Sequence, residues 1–254
     1  MSGFILRLIA VLTMVTDHVT DVFRLSSAGN LIGRLAFPLY AFMIVDSFRH
    51  LAGEPKRMRK FMILLAVMAV VSEPAFDYAF YRTFFSMNMQ NQLLQYLTFG
   101  IAFLWTRRIR TPWLRFAVWT ATTVLNQVLL MGYFGSGILL MLMQYWYLER
   151  YEAHSPAWRF ICCSVMMLLF YLLLVPDTLL GTIQMWGWRA VQPAIRRSVT
   201  YYLQINLPVL ATVPMLAMYN GQYGSVPRLF RKCYRYFYPA HLWGLTGIRL
   251  LFRI

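Results

Sequence analysis

Apolar runs close to the ~20 residues a helix needs to span a bilayer recur along this 254-residue chain, separated by short segments rich in arginine. Read at helical periodicity, they predict nine helices, over roughly residues 4–23, 32–49, 60–80, 89–106, 113–131, 134–150, 158–176, 201–218 and 237–253. A soluble domain of this length needs a polar surface, with about 25% of its residues charged. Here 13% are charged and 59% are hydrophobic, and the mean hydropathy is +0.53. The chain therefore reads as an all-α, polytopic integral membrane bundle of about nine transmembrane helices, with residues 1–254 forming a single domain. The net charge of +15 does not call for nucleic acid. The bases lie between the apolar runs, as in loops that face anionic lipid, so the lipid bilayer is the expected partner.

The same bases set an orientation. Arg49, Lys56, Arg57, Arg59 and Lys60 follow the second run, Arg107, Arg108, Arg110 and Arg115 the fourth, and Arg228, Arg231, Lys232 and Arg235 the eighth. With nine helices these three loops share one side. The positive-inside rule then puts the N-terminus in the cytoplasm and the C-terminus outside a bacterial plasma membrane. Asp17 and His18 follow the first apolar run where a cleavage site would stand, so that run is expected to be a retained helix. Residues 177–200, with Trp186, Trp188, Arg189, Pro193, Arg196 and Arg197, suit an interfacial helix or a re-entrant loop. Cys162, Cys163 and Cys233 read as free thiols, and His18, His50, His154 and His241 have no metal-ligand spacing, so no metal is expected.

Ionisable groups inside spanning helices are costly, so they mark pairing or function. This topology collects several in the outer half of the bundle. Asp17 and His18 lie in helix one, Arg34 opens helix two, Glu73 and Asp77 lie one turn apart in helix three, and Gln90 and Asn91 begin helix four. Histidine titrates near neutrality and is the natural general base. Asp17 points about 100° away from His18, so Glu73 or Asp77 is left as the acid to meet it, with Arg34 neutralising the acids. The alternative is a structural polar network between helices. A second polar set lies on the cytoplasmic side: Arg7, Tyr219, Asn220, Gly221, Arg231, Tyr238 and His241. It suits a phosphorylated cofactor such as coenzyme A, although positive-inside topology alone would also place arginines there.

Several segments resemble the TraX family of membrane proteins, whose named member acetylates a conjugative pilin. They are Met14-Val15-Thr16-Asp17-His18, Ile32-Gly33-Arg34-Leu35-Ala36-Phe37-Pro38-Leu39-Tyr40-Ala41-Phe42, Ser72-Glu73-Pro74-Ala75-Phe76-Asp77, and Gln90-Asn91 with Gly100. Two more are Tyr219-Asn220-Gly221 with Gly224, and Phe237-Tyr238-Pro239-Ala240-His241. The family looks related to the wider transmembrane acyltransferases, in which an arginine and a histidine separated by ten residues mark the site; Arg7 and His18 have this spacing. The resemblance implies acetyl-CoA as a cytoplasmic donor, His18 as base or transient acetyl carrier, and an acceptor reached from outside.

The expected function is thus an integral membrane acetyltransferase acting on an amine or hydroxyl of a peptide, pilin, glycan or lipid. Catalysis would rest on His18, Asp17, Glu73 and Arg34, cofactor binding on Arg7, Asn220, Arg231, Tyr238 and His241, and acceptor binding on Asp77, Gln90 and Asn91. The rival readings are a solute or proton-coupled transporter, for which inverted repeats would speak, and a non-catalytic membrane assembly factor.

Overall fold

A computed structural model describes residues 1–86, 91–187, 203–225 and 227–252, without the side chains of Ser27, Met185, Trp186, Arg228, Leu229, Arg231 and Lys232. The described residues form helices and loops with no strand. The helices are α1 (Gly3–Phe23), α2 (Ser27–Gly33), α3 (Ala36–Leu51), α4 (Pro55–Tyr81), α5 (Gln92–Arg108), α6 (Pro112–Val128), α7 (Phe134–Leu148), α8 (Pro156–Trp186), α9 (Leu203–Ala217) and α10 (Arg228–Phe252). A short 3-10 turn (Tyr151–Ala153) precedes α8.

The end of the bundle where α1 begins is called the near end below, and the opposite end the far end. At the near end, Gly3 and Phe4 donate their N–H groups to the Gln222 and Tyr223 carbonyls at 2.8 and 2.9 Å. There the Tyr219 hydroxyl also donates to Asp46 of α3 at 2.8 Å, and Arg49 donates to the last carbonyl of α7, Leu148, at 2.7 Å. Three helices that leave this end, α4, α6 and α8, begin with proline, which lacks only an N–H that a first turn leaves unpaired anyway. At the far end, α1 and α4 stop on left-handed arginines, Arg24 and Arg82.

The core is built around α3, whose Phe37, Leu39, Phe42, Val45 and Phe48 are fully buried against α1, α7, α5 and α4. Helices α2 and α3 together form the second predicted helix, starting some five residues earlier than the apolar run. Gly29 and Gly33, one helical turn apart, let α2 lie directly on α1: a Cβ on Gly33 would overlap the Asp17 side chain and one on Gly29 would overlap Thr20.

Two expectations are corrected. Residues 177–186 are not a re-entrant segment, because α8 runs through Pro176 to Trp186. An interior proline costs one backbone hydrogen bond, but the next residue, Asp177, accepts the Ser136 N–H of α7 and ties the helix down. Residues 188–200 lie outside the described residues. The basic stretch 228–235 is not a loop but the first turns of α10.

Helix α10 lies on α4 and runs parallel to it, and its side chains hydrogen-bond the α4 backbone. Trp243 Nε1 donates to the Val71 carbonyl at 3.0 Å, Thr246 Oγ1 to Ala75 at 2.8 Å, and Arg249 to Ala79. The three carbonyls are spaced four residues apart and so share one face of α4. The small residues Ala75 and Ala79, both fully buried, allow this close approach. Four helical stretches are long and apolar enough to cross a membrane, among the described residues: α1, Ala28–Leu51, α4 and the first 29 residues of α8.

Candidate functional site

Between α1, α3, α4, α5, α10 and the 219–224 loop lies a cavity of about 1120 Å³. Arg57, Lys60, His50 and Arg235 stand at its near-end mouth, and Tyr40, Tyr96, Tyr234 and Tyr238 line its depth. Arg57 is paired with Glu54 at 2.6 Å, but among the described residues no carboxylate lies within 4 Å of Arg7, Lys60 or Arg235. Arg7 stacks over Tyr223 at 4.1 Å. Its Nη1 is buried and has no hydrogen-bond partner. A buried guanidinium nitrogen without an acceptor is costly, and an anionic oxygen in the cavity would supply one. The mouth is basic, and among the described residues Asp46 is the sole acid that lines the cavity.

Asp46 is held away from that role. It accepts from Tyr219, and Arg49 and His50 sit 3.5 and 3.3 Å from its Oδ1; Arg49 also reaches Glu152 at 3.6 Å. Burial, and then the Asp46 carboxylate, push the Tyr219 hydroxyl above its ordinary value, so it remains a donor. Sequence reasoning missed this cluster. Its signal was present, since Asp46, Arg49 and His50 stand at i, i+3 and i+4 on one helix face.

Past the cavity, Tyr238 donates to Asn91 Oδ1 at 3.3 Å. Asn91 in turn donates to Ser72 Oγ at 3.1 Å and to the Ala69 carbonyl at 3.3 Å, and it caps α5 by accepting the Leu93 N–H at 3.1 Å. Glu73 belongs to this group, with Asn91 as its hydrogen-bond partner and the like-charged carboxyl of Asp77 beside it. Asp77 is buried and accepts the Ser86 N–H at 2.7 Å, which fixes the loop after α4.

One turn beyond Tyr238 on α10 stands His241. Its Nε2 lies 2.8 Å from His18 Nδ1, and its Nδ1 lies 3.1 Å from the Phe237 carbonyl. The two imidazoles are nearly parallel, with centroids 5.0 Å apart. Phe80 meets His18 edge-on at 5.3 Å, and Phe237 stacks on His241 at 5.3 Å. His18 is buried.

The predicted outer layer is therefore divided in two by α1. Asp17 points away from His18, as the helical geometry requires, and lodges against Gly33. Its company is Arg34, Tyr133 and Asp21, and Asn30 donates to Asp21. Two expected pairings are corrected. Arg34 stands with Asp17 and Asp21 and not with Glu73, because close packing of α2 on α1 sets it beside Asp17. Among the described residues no carboxylate meets His18; α10, starting at residue 228, brings His241 to it instead. For the same reason His241, expected in the cofactor patch, sits a turn deeper and does not line the cavity. Arg7 and Tyr238 do line it. Asn220 is exposed and shapes the turn before α10, accepting the Gln222 N–H at 3.1 Å. Gln90 and the Arg231 side chain lie outside the described residues.

Apolar helices around a buried polar interior, with one basic-mouthed cavity entering it, define a polytopic helical membrane protein. The chain belongs to the TraX family: the family model described as TraX protein matches residues 2–249. No match was found among curated proteins or among solved structures.

Proposed function

We propose that this protein is an integral membrane acetyltransferase that uses acetyl-CoA from the cytoplasm and acetylates an amine or hydroxyl reached from the outer side. The observation that carries the reading is the cavity, whose basic mouth leads along a tyrosine-lined shaft to within one helical turn of the histidine pair, His18 buried and His241 half-buried. Membership of a family whose named member modifies pilin supports it. The near end is assigned to the cytoplasm by its basic segments, and the bundle is read as nine passes, with α2 and α3 forming one.

Arg7, Lys60 and Arg235 hold the coenzyme's phosphates, and the buried Arg7 Nη1 gains the acceptor it lacks. Tyr40, Tyr96, Tyr234 and Tyr238 line the path of the pantetheine arm. Bound acetyl-CoA supplies a thioester carbonyl activated toward nucleophiles. His18 accepts the acceptor's N–H or O–H proton as the new C–N or C–O bond forms, and returns it to the sulfur as the C–S bond breaks. The products are the acetylated acceptor and free coenzyme A.

Calorimetric titration of the protein in nanodiscs with acetyl-CoA tests this. Each charge-assisted contact contributes about 1.5–3 kcal/mol, so changing Arg7, Lys60 and Arg235 to Gln should weaken binding more than about tenfold, with melting unchanged. Equal affinity would move the donor site elsewhere. Single cysteines at Lys56 and Ile109 should need a permeabilised membrane for labelling and one at Phe85 should not; the reverse pattern would invert the assignment of sides.

A further inference from the structure

The hydrogen bonds of the histidine pair determine its tautomers. A neutral imidazole has one N–H and one lone pair. The Phe237 carbonyl can only accept, so His241 Nδ1, 3.1 Å away, carries a hydrogen. Its Nε2 is then the acceptor, and His18 Nδ1 at 2.8 Å must donate to it. This leaves His18 Nε2 as the bare nitrogen of the relay.

A charged pair is disfavoured by the surroundings. An imidazolium in the bundle would need an anion, and among the described residues no carboxylate lies within 4 Å of either ring. From α4, Glu73 faces Asn91 and Asp77 faces the Ser86 N–H; on α1, Asp17 faces α2. The rings packed on the pair are Phe80, Phe237 and Tyr238; they fix the ring planes without adding charge, and the Tyr238 hydroxyl is turned to Asn91. His241 is the one titratable group acting on His18 among the described residues.

We propose that His241 is the positioning residue of the site: it locks His18 in the Nδ1–H tautomer and thereby aims an unprotonated Nε2 at the reacting group. The role rests on the reading of His18 as the base. In soluble hydrolases a carboxylate performs this task. Inside a bilayer an isolated carboxylate is expensive, whereas a neutral imidazole backed by its own helix's carbonyl needs no counter-charge. When Nε2 takes a proton, His18 Nδ1–H remains hydrogen-bonded to His241 Nε2, so the transient positive charge is shared between two rings. Return of the proton restores the starting pair, and nothing is consumed.

Histidine free in water favours the Nε2–H tautomer, so the proposed state is distinguishable. The test is nitrogen-15 NMR of histidine-labelled protein in nanodiscs, with His18 assigned by its loss in His18→Gln. The wild type should show His18 protonated at Nδ1 and bare at Nε2. In His241→Leu, His18 should revert to the Nε2–H form, and kcat should fall about 10²–10⁴-fold, the range spanned by loss of a positioned base and by a base in the wrong tautomer. KM for acetyl-CoA should stay within about twofold of the wild-type value, since uniform binding is untouched. His241→Gln, whose amide oxygen can accept from His18, should restore the Nδ1–H form and part of kcat. Wild-type His18 in the Nε2–H form would overturn the proposal even if the variants failed to fold, as would an unchanged tautomer in a folded His241→Leu protein. The expected tautomer in a protein without acetyl transfer would leave the relay standing and sink the acetyltransferase reading. Transfer by a protein with the opposite tautomer would do the reverse.

Discussion

Helices α8 and α10 both run between the two ends of the bundle, and they satisfy most of their polar groups in different ways. In α8 the serine and threonine hydroxyls bond their own helix: Ser164 to the Phe160 carbonyl, Thr178 to Leu174 and Thr182 to Thr178, at 2.6–2.8 Å. The outward residues of α8, Phe160, Ile161, Val165, Leu168, Leu169 and Leu172, are exposed and apolar, as a lipid face requires. In α10 the polar groups bond other helices, through Tyr238 to Asn91, His241 to His18, and Trp243 and Thr246 to the α4 backbone. Packing holds α8 together with scattered hydrogen bonds to its neighbours, such as those from Ser136 of α7 to Asp177 and from Tyr171 to Leu203 of α9, whereas a row of hydrogen bonds specifies the rotation and depth of α10. Side chains that must meet a partner at fixed geometry belong on an element of the second kind.

The largest effect that separates the two sides is chemical. His18→Ala, which removes the base that α10 positions, should lower transfer per folded molecule by about 10²–10⁴-fold. Removing a polar group from α8, as in Thr178→Val, should leave it unchanged. A loss at Thr178 comparable to that at His18 would break the distinction. Next in size is the seat of α1 itself. A Cβ on Gly33 would meet Asp17 at its Cβ as well as its carboxylate, so rotation of a flexible tip cannot relieve it. Gly33→Ala should destabilise by about 1–3 kcal/mol, read as a shift in the unfolding midpoint in mixed micelles. The smallest effects sharpen the contrast most directly. Thr246→Val, which breaks an interhelical bond, should cost about 0.6–1.7 kcal/mol, and Thr182→Val less than about 0.5 kcal/mol. Equal costs would mean that the bonds between α4 and α10 do not hold α10 in place.

The same contrast explains what could be read from the sequence. The apolar periodicity of α8 announces a helix without any chemistry, and α1, α3, α4 and α5 were legible for the same reason. Helix α10 begins with Arg228, Arg231, Lys232 and Arg235, and hydropathy reads such a stretch as a loop. Once its first turns are taken for loop, His241 falls about 14 Å of helix rise too shallow, and its meeting with His18 cannot be anticipated. Likewise Ser26, Ser27, Gly29 and Asn30 carry loop chemistry, which hid α2 and with it the move of Arg34 to the Asp17 side. Arg7 at the cavity and the enclosure of His18 were legible, because a charge or an imidazole within an apolar run admits few placements. The Asp46 cluster was overlooked because its carboxylate and bases look like an ordinary helix end until Tyr219 closes over them.

The central claim is that an acetyl group leaves the coenzyme inside this bundle and appears on an acceptor. Intact-mass analysis tests it most directly, applied to envelope proteins, glycans and lipids from cells carrying the wild-type chain, the His18→Ala chain or neither, with equal amounts of folded protein in the first two. The account predicts an acceptor heavier by one acetyl group with the wild type and not in the other two samples. Identical acceptor masses in all three, or full acetylation with His18→Ala, would contradict it.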